Sequence, residues 1–270
     1  MAQYHFSSVI NGLAVDAVYS SDNVENIFLP LLRKWTELQK VEVRRIVILL
    51  AAPPGAGKTT LAQFLHQLSI SEEGLTPVTV LGMDGFHRRQ EYLLSHTVNR
   101  NGEKVAMARI KGAPVTFDFE SLYVRVKRVA AGENCPWPTY NRLLHNPQDN
   151  AFIVSGNIVL LEGNYLLLDE DGWREMKDLA DDTVRIVADR EMLRDRLIAR
   201  KAASGTSYEE AVDFVDTSDL ENADICLTHS LPANLTLRLL PDGTFCALAP
   251  ENGAVKSIQH LNRVPFQEVT

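Results

Sequence analysis

Lys58, Thr59, Asp84 and Glu162 are the residues of this chain whose types and settings suit phosphoryl chemistry. The first two stand in Ala52-Pro53-Pro54-Gly55-Ala56-Gly57-Lys58-Thr59-Thr60, after an apolar run at 45–51 and before a helical pattern. Strand, glycine-rich turn and helix, in that order, is the setting of a phosphate-binding loop. Small residues let backbone N–H groups curl around phosphate oxygens. The following helix offers its N-terminal dipole to the same anion. Lys58 adds a full positive charge, and the Thr59 hydroxyl suits a magnesium ion. The loop departs from the usual pattern at Ala52, where a first Gly is expected. Binding of a nucleoside triphosphate through Pro54, Gly55, Ala56, Gly57, Lys58, Thr59 and Thr60 is the expectation on which the rest stands.

Asp84 ends the apolar run 78–83. A carboxylate at a strand mouth beside such a loop can accept the proton of an attacking hydroxyl, or it can hold magnesium. The plainer reading is a solvated turn Asp before Gly85. Glu162 ends the run 157–161, where a lone acid is costly to bury without a partner. Magnesium would supply that partner. Asp189, at the end of 184–188, is a rival, although Asp189-Arg190 reads equally as a helix start.

Phe117-Asp118-Phe119, the segment Pro138-Thr139-Tyr140-Asn141-Arg142, and His145 lie between the second and third strand candidates. With Arg109 and Lys111 they are rich in groups that bind hydroxyls or anions. His87, Arg109, Tyr140 and Arg142 are the candidate substrate contacts. A helical stretch at 190–201 carries Arg190, Arg194, Arg196, Arg200 and Lys201, with Leu193, Leu197 and Ile198 as its apolar side. Arg196 and Arg200 are one turn apart and share a face. Arginines so placed can close over a transferring phosphoryl group and help exclude water, the plainer reading being a solvated face. Arg194 is the further nucleotide contact expected from this helix.

Positioning these groups requires a sheet. Strand patterns occur at 45–51, 78–83, 158–162 and 184–188; helical patterns occur at 59–68, 119–131, 190–203 and 208–215. Their alternation implies a mainly parallel sheet covered by helices on both faces, with ligands beyond the carboxyl ends of the strands. Ahead of it, 4–10, Asn11-Gly12 and 13–19 read as a hairpin. A helical face follows through Val24, Ile27, Phe28, Leu31, Leu32, Trp35 and Leu38, with a start at Asp22 and Glu25. Pro30 calls for a kink or a fresh helix. Residues 234–240 and 244–248 read as a second hairpin, and both terminal hairpins are expected at the sheet edge. The expected organisation is an extension at 1–42, a core at 43–230 with a lid around 190–205, and a hairpin and tail at 231–270, forming one domain overall.

The 270 residues carry a net charge of −8, which speaks against broad nucleic-acid binding. Three cysteines without metal spacing read as reduced thiols. No signal peptide and no apolar run of membrane-spanning length is evident. The expectation is a cytoplasmic protein with a small-molecule substrate, no nucleic-acid partner and no membrane, and open to forming a homodimer.

The loop at 53–60, Met83-Asp84-Gly85-Phe86-His87, Lys111-Gly112-Ala113-Pro114 with Phe117-Asp118, Trp137-Pro138-Thr139-Tyr140-Asn141-Arg142 and Leu161-Glu162-Gly163-Asn164 occur in one order. That series resembles the uridine kinase, phosphoribulokinase and bacterial pantothenate kinase superfamily of P-loop kinases. Its branch of candidate fructose transport system kinases and nucleoside-kinase-like proteins is the most similar, over about residues 8–240. The resemblance implies a P-loop NTPase-type three-layer α/β/α fold, to which the hairpins are elaborations. It implies ATP and Mg²⁺, with γ-phosphoryl transfer to a small-molecule alcohol such as a sugar, nucleoside or pantothenate. In this superfamily the acid after the second strand is base or metal organiser, which falls on Asp84. The acid of the Glu-Gly motif supports magnesium, which falls on Glu162. Lid arginines fall near Arg194, Arg196 and Arg200. Asn141 stands where relatives often have Asp. The alternatives are an ATPase or nucleotide switch acting on a partner, and a nucleotide kinase with a phosphate acceptor. No Asn-Lys-x-Asp or Leu-Ser-Gly-Gly segment marks a GTPase or a transporter ATPase.

Overall fold

The computed structural model describes residues 3–10, 13–100, 102–141 and 144–249. β1 (Gln3–Ile10) and β2 (Leu13–Ser20) pair antiparallel, with Ile10 opposite Leu13. The Asn11-Gly12 turn that this register calls for lies outside the described residues. The next helix is capped two residues before the position read from Asp22 and Glu25. Ser20 caps α1 (Ser21–Asn23), its hydroxyl accepting from the Asn23 amide at 3.2 Å. A π-helical turn, Val24–Phe28, then leads into α2 (Leu29–Glu42). Pro30 sits in the first turn of α2, but Phe28 and Leu29 before it keep right-handed helical backbone and the Leu29 amide donates to the Val24 carbonyl, so the helix runs on through the proline by way of the π turn and does not start afresh.

β3 (Ile46–Ala51) feeds α3 (Lys58–Ser71), and β4 (Val78–Gly82) follows. Next come α4 (Gln90–Ser95), a hairpin of β5 (Thr97–Arg100) with β6 (Glu103–Ala106), and α5 (Phe119–Ala130). A second hairpin joins β7 (Pro136–Asn141) to β8 (Asn146–Ile153). β9 (Ile158–Gly163) and β10 (Asp182–Ala188) return to the core. Three helices follow: α6 (Arg190–Ala203), α7 (Tyr208–Phe214) and, after a π turn at Val215–Asp219, α8 (Leu220–Thr228). β11 (Leu235–Leu239) and β12 (Phe245–Ala247) complete the described chain.

The central sheet runs β12-β11-β10-β3-β9-β4, parallel throughout except for β12. β3 is buried along its whole length because it is covered on both faces. Ile46, Ile48 and Leu50 pack with residues of α2 and α3, while Val47, Leu49 and Ala51 pack with Leu122, Val126 and Val129 of α5. These are the three layers of an α/β/α fold. A smaller apolar cluster, Leu197, Ile198, Ala211, Val215 and Leu220, holds α6 to the segment after it.

The terminal hairpins differ in place. The β11–β12 pair does extend the sheet at one edge. The β1–β2 pair forms its own two-stranded sheet and is not hydrogen-bonded to the central one, although its tip shares a cavity with Val80 and Gly82 of the edge strand β4. It lies instead on α3: Phe6 meets Phe64 edge-on at 5.9 Å, and Tyr19 stacks on the same ring at 4.2 Å. The inward face of the hairpin buries two aromatics, and a helix surface gives them deeper cover than a strand edge could. Residues 250–270 lie outside the described residues.

One buried carboxylate ties distant segments together. Asp182, 1% exposed, accepts from Lys34 Nζ at 2.7 Å, Trp35 Nε1 at 2.8 Å and Asn234 Nδ2 at 2.8 Å. A buried charge is tolerable only with such hydrogen-bonded partners. The three cysteines are free, and burial pushes the Cys226 thiol up to about 12. Among the described residues no helix is long and apolar enough to cross a membrane.

Candidate active site

β3 ends in the middle of the sheet, and residues 52–57 turn over its carboxyl end into α3. Gly57 holds the N-cap of α3 at φ 79°, a left-handed conformation that favours glycine. No side chain caps this helix, so its first-turn N–H groups remain available to an anion. Lys58, Thr59 and Thr60 follow in that first turn. The loop is backed by α6: a Cβ on Gly55 would meet Leu197 Cγ at 3.0 Å and the Leu193 carbonyl at 3.3 Å. A Cβ on Gly57 would meet Arg196 Nη2 at 3.6 Å, which puts that guanidinium alongside the loop.

Thr59 Oγ1 donates to Glu162 Oε1 at 2.9 Å. Glu162 is 4% exposed, near the carboxyl end of β9, with Gly82 of β4 as its register partner. Asp84 follows β4 in a single 3₁₀ turn, Met83–Phe86. Thr59, Asp84 and Glu162 line one cavity of about 260 Å³, so the two acids and the loop threonine converge on the same space.

The turn that carries Asp84 is seated on β7. A Cβ on Gly85 would stand 2.3 Å from the Pro138 carbonyl oxygen, so only glycine fits. Trp137 locks the same junction, donating from Nε1 to the Gly82 carbonyl at 3.0 Å and packing edge-on against Phe86. The Asp84 carbonyl accepts from the His87 amide at 3.2 Å and from His87 Nδ1 at 2.9 Å. A carbonyl can only accept, so Nδ1 of that ring is the donor in this contact.

The remaining candidates fall in different places. Tyr140 lines the cavity of the two acids, with Lys111 Nζ 5.4 Å from its ring. Lys111 also donates to Gln90 Oε1 and the His145 carbonyl, and burial lowers its pKa. His87 lines a neighbouring cavity with Arg88, Arg89 and Arg125, beyond the wall formed by Gly85 and Pro138. Arg109 is exposed on the 3₁₀ turn Met107–Ile110 and lines neither cavity. Arg142 lies outside the described residues. Asp118 caps α5, accepting from the Ser121 amide.

Of the α6 arginines expected over the loop, Arg196 is the one set against it. Much of its side chain stays in solvent, yet partial desolvation holds its pKa below the ordinary value, with Tyr19 acting the other way. Arg194 forms a two-pronged pair with Asp216 at 2.6 and 2.7 Å, which raises the arginine's pKa and lowers the acid's. Arg200 is exposed on the last turn of α6. Asp189 caps α6, accepting from the Glu191 and Met192 amides.

Thr59, Glu162 and Asp84 offer hard oxygen donors on one cavity, which fits magnesium. Among the described residues no three His, Cys, Asp or Glu side chains gather as an all-protein metal site. A sparse donor set suits an ion that keeps its waters and shares substrate phosphates. Sequence reasoning did not anticipate Ser8, Val9, Ile10, Gln63 and Phe152 on the cavity wall. No local signal marks them, because each arrives through tertiary packing.

Similarity to known proteins points the same way. The uncharacterised protein YggC of Escherichia coli (strain K12) is 37% identical over 237 residues, 87% of this chain and 96% of that protein. A candidate uridine kinase of Schizosaccharomyces pombe is 28% identical over 84% of this chain and 95% of its own length. The crystal structure of a candidate fructose transport system kinase from Silicibacter sp. TM1040 superposes with TM-score 0.65 at 29% identity. That superposition covers 75% of this chain and 98% of the other. Residues 47–230 match the phosphoribulokinase / uridine kinase family across more than half of the sequence, and the chain belongs to that family of P-loop kinases.

Proposed function

We propose that the protein transfers the γ-phosphoryl group of ATP to a hydroxyl of a small-molecule alcohol. The observation that carries this reading is the convergence of Thr59, Glu162 and Asp84 on one cavity beside the phosphate loop. Magnesium held by Thr59 and Glu162 would supply positive charge against the triphosphate. Lys58 and the first-turn amides of α3 bind and orient the phosphates. Asp84 accepts the proton of the acceptor hydroxyl as that oxygen bonds to the γ-phosphorus. The bond to the β–γ bridging oxygen breaks, and ADP leaves with its electron pair. Arg196, whose guanidinium lies alongside the loop, would neutralise charge on the transferring group. Positioning and electrostatics suffice, so no covalent intermediate is required.

The test is ADP release measured with and without a panel of sugars, nucleosides and pantothenate, with the product identified by mass. The expected result is release that depends on one acceptor and yields its phosphate ester. Equal turnover with every addition, and with none, would refute the reading.

A further inference from the structure

The family match begins at residue 47, yet part of the cavity wall comes from before it. Ser8, Val9 and Ile10, at the end of β1, line the same cavity as Asp84 and Glu162. The base of their hairpin is fixed by Phe6 and Tyr19, 3% and 6% exposed, against Phe64 of α3. That helix also carries Lys58 and Thr59, so hairpin and phosphate loop share one support. Toward the tip the cover thins, with Ile10 still packed in part against the core. Val9 is 71% exposed, an apolar side chain on the cavity with no core to hold it. Val80 and Phe152 add apolar surface to the lining, and Gln63 and Thr139 add an amide and a hydroxyl. Such a lining suits a ligand with hydroxyls on one side and apolar surface on another.

We propose that the tip of the N-terminal hairpin, Ser8 to Ile10, is an acceptor-selecting wall, and that it selects an uncharged alcohol with an apolar face, such as a sugar ring or a nucleoside. This inference rests on the phosphotransfer reading above. The acceptor hydroxyl reaches Asp84 while its apolar face covers Val9 and Ile10.

The experiment compares wild type, Val9→Asp and Val18→Asp with uridine, D-fructose, UMP and fructose 6-phosphate as acceptors. Val18 is an exposed apolar residue of the same hairpin that does not line the cavity, which makes it the matched control. The wild type should use a neutral alcohol in preference to its phosphate ester. Val9→Asp should raise KM for that acceptor about tenfold or more, the scale on which a pocket contact discriminates. KM for ATP and the melting temperature should stay at wild-type values, and Val18→Asp should match wild type throughout. An unchanged acceptor KM in Val9→Asp would remove the hairpin from the site. Equal or better use of the esters would remove the uncharged class. A wild type whose ADP release ignores every acceptor would remove the phosphotransfer reading itself, and the proposal with it.

Discussion

Replacing Gly85 with alanine tests whether the seating of the Asp84 turn on β7 sets where the carboxylate stands. The added Cβ would lie 2.3 Å from the Pro138 carbonyl oxygen and 2.6 Å from its carbonyl carbon. Both are backbone atoms, so no rotamer change relieves the clash. A Cβ contact below 3.0 Å is essentially never seen, so turn and strand must part by about 0.7 Å. That shift carries Asp84 away from the acceptor, or Pro138, Thr139 and Tyr140 away from the cavity. Misplacement on the 1 Å scale costs roughly 10²-fold in rate, and overpacking costs about 1–3 kcal/mol of stability. Acceptor-dependent ADP release should therefore show kcat lowered about 10²-fold with KM for ATP nearly unchanged, since the phosphate loop is not touched. Gly74→Ala is the control: it adds φ strain of about 1–2 kcal/mol, with nothing within 4 Å of the new carbon and no change in kcat. Wild-type kcat in folded Gly85→Ala would refute the argument that this contact positions the acid.

Asp84→Asn should lower kcat by about 10²- to 10⁴-fold while leaving ATP affinity intact; a loss confined to ATP binding would make Asp84 a metal ligand instead of a base. Arg196→Ala should cost about 10³-fold in kcat, whereas Arg194→Ala, which breaks the pair with Asp216, should act mainly on the stability of α6 and the turn it binds; the reverse ranking in steady-state assays would exchange their roles. Asp182→Ala should destabilise by about 3–5 kcal/mol in denaturant unfolding, since Lys34 and Trp35 lose their shared acceptor; a change below 1 kcal/mol would contradict that account. Asp219 has a pKa raised by burial, with Lys201 and Arg200 opposing, so its favourable contribution is complete below pH 3.8 and lost as pH rises through the folded value. Asp219→Asn should thus raise the melting temperature at pH 7 but not near pH 3, and an equal shift at both would count against burial as the cause.

The convergence of Thr59, Asp84 and Glu162 on one cavity was legible because each reports a local constraint. Phosphate geometry dictates the glycine spacing, and an acid at the end of a buried run demands a partner. The parallel sheet was legible for a similar reason, since strands covered on both faces read as unbroken apolar runs. What escaped the sequence depends on distant partners. Phe6 and Tyr19 announce a buried face but not that Phe64 of α3 supplies the cover. Periodicity sets Arg196 and Arg200 on one face of α6, yet cannot show that Asp216 of a later turn engages Arg194. Pro136 and Pro138 disguise β7 as loop, although β8 pairs with it. The exposed setting of Arg109 depends on a 3₁₀ turn that its apolar neighbours Met107, Ala108 and Ile110 do not signal.

The Asp182 carboxylate makes the recognised kinase segment and the folding unit different things. A polypeptide trimmed to 47–230 would retain this buried anion while discarding Lys34, Trp35 and Asn234, all three of the groups that donate to it. It would also strip the aromatic cover from Phe64. Anyone seeking a minimal catalytic fragment should keep both flanks, because the anion works as an interlock that only the longer chain can close.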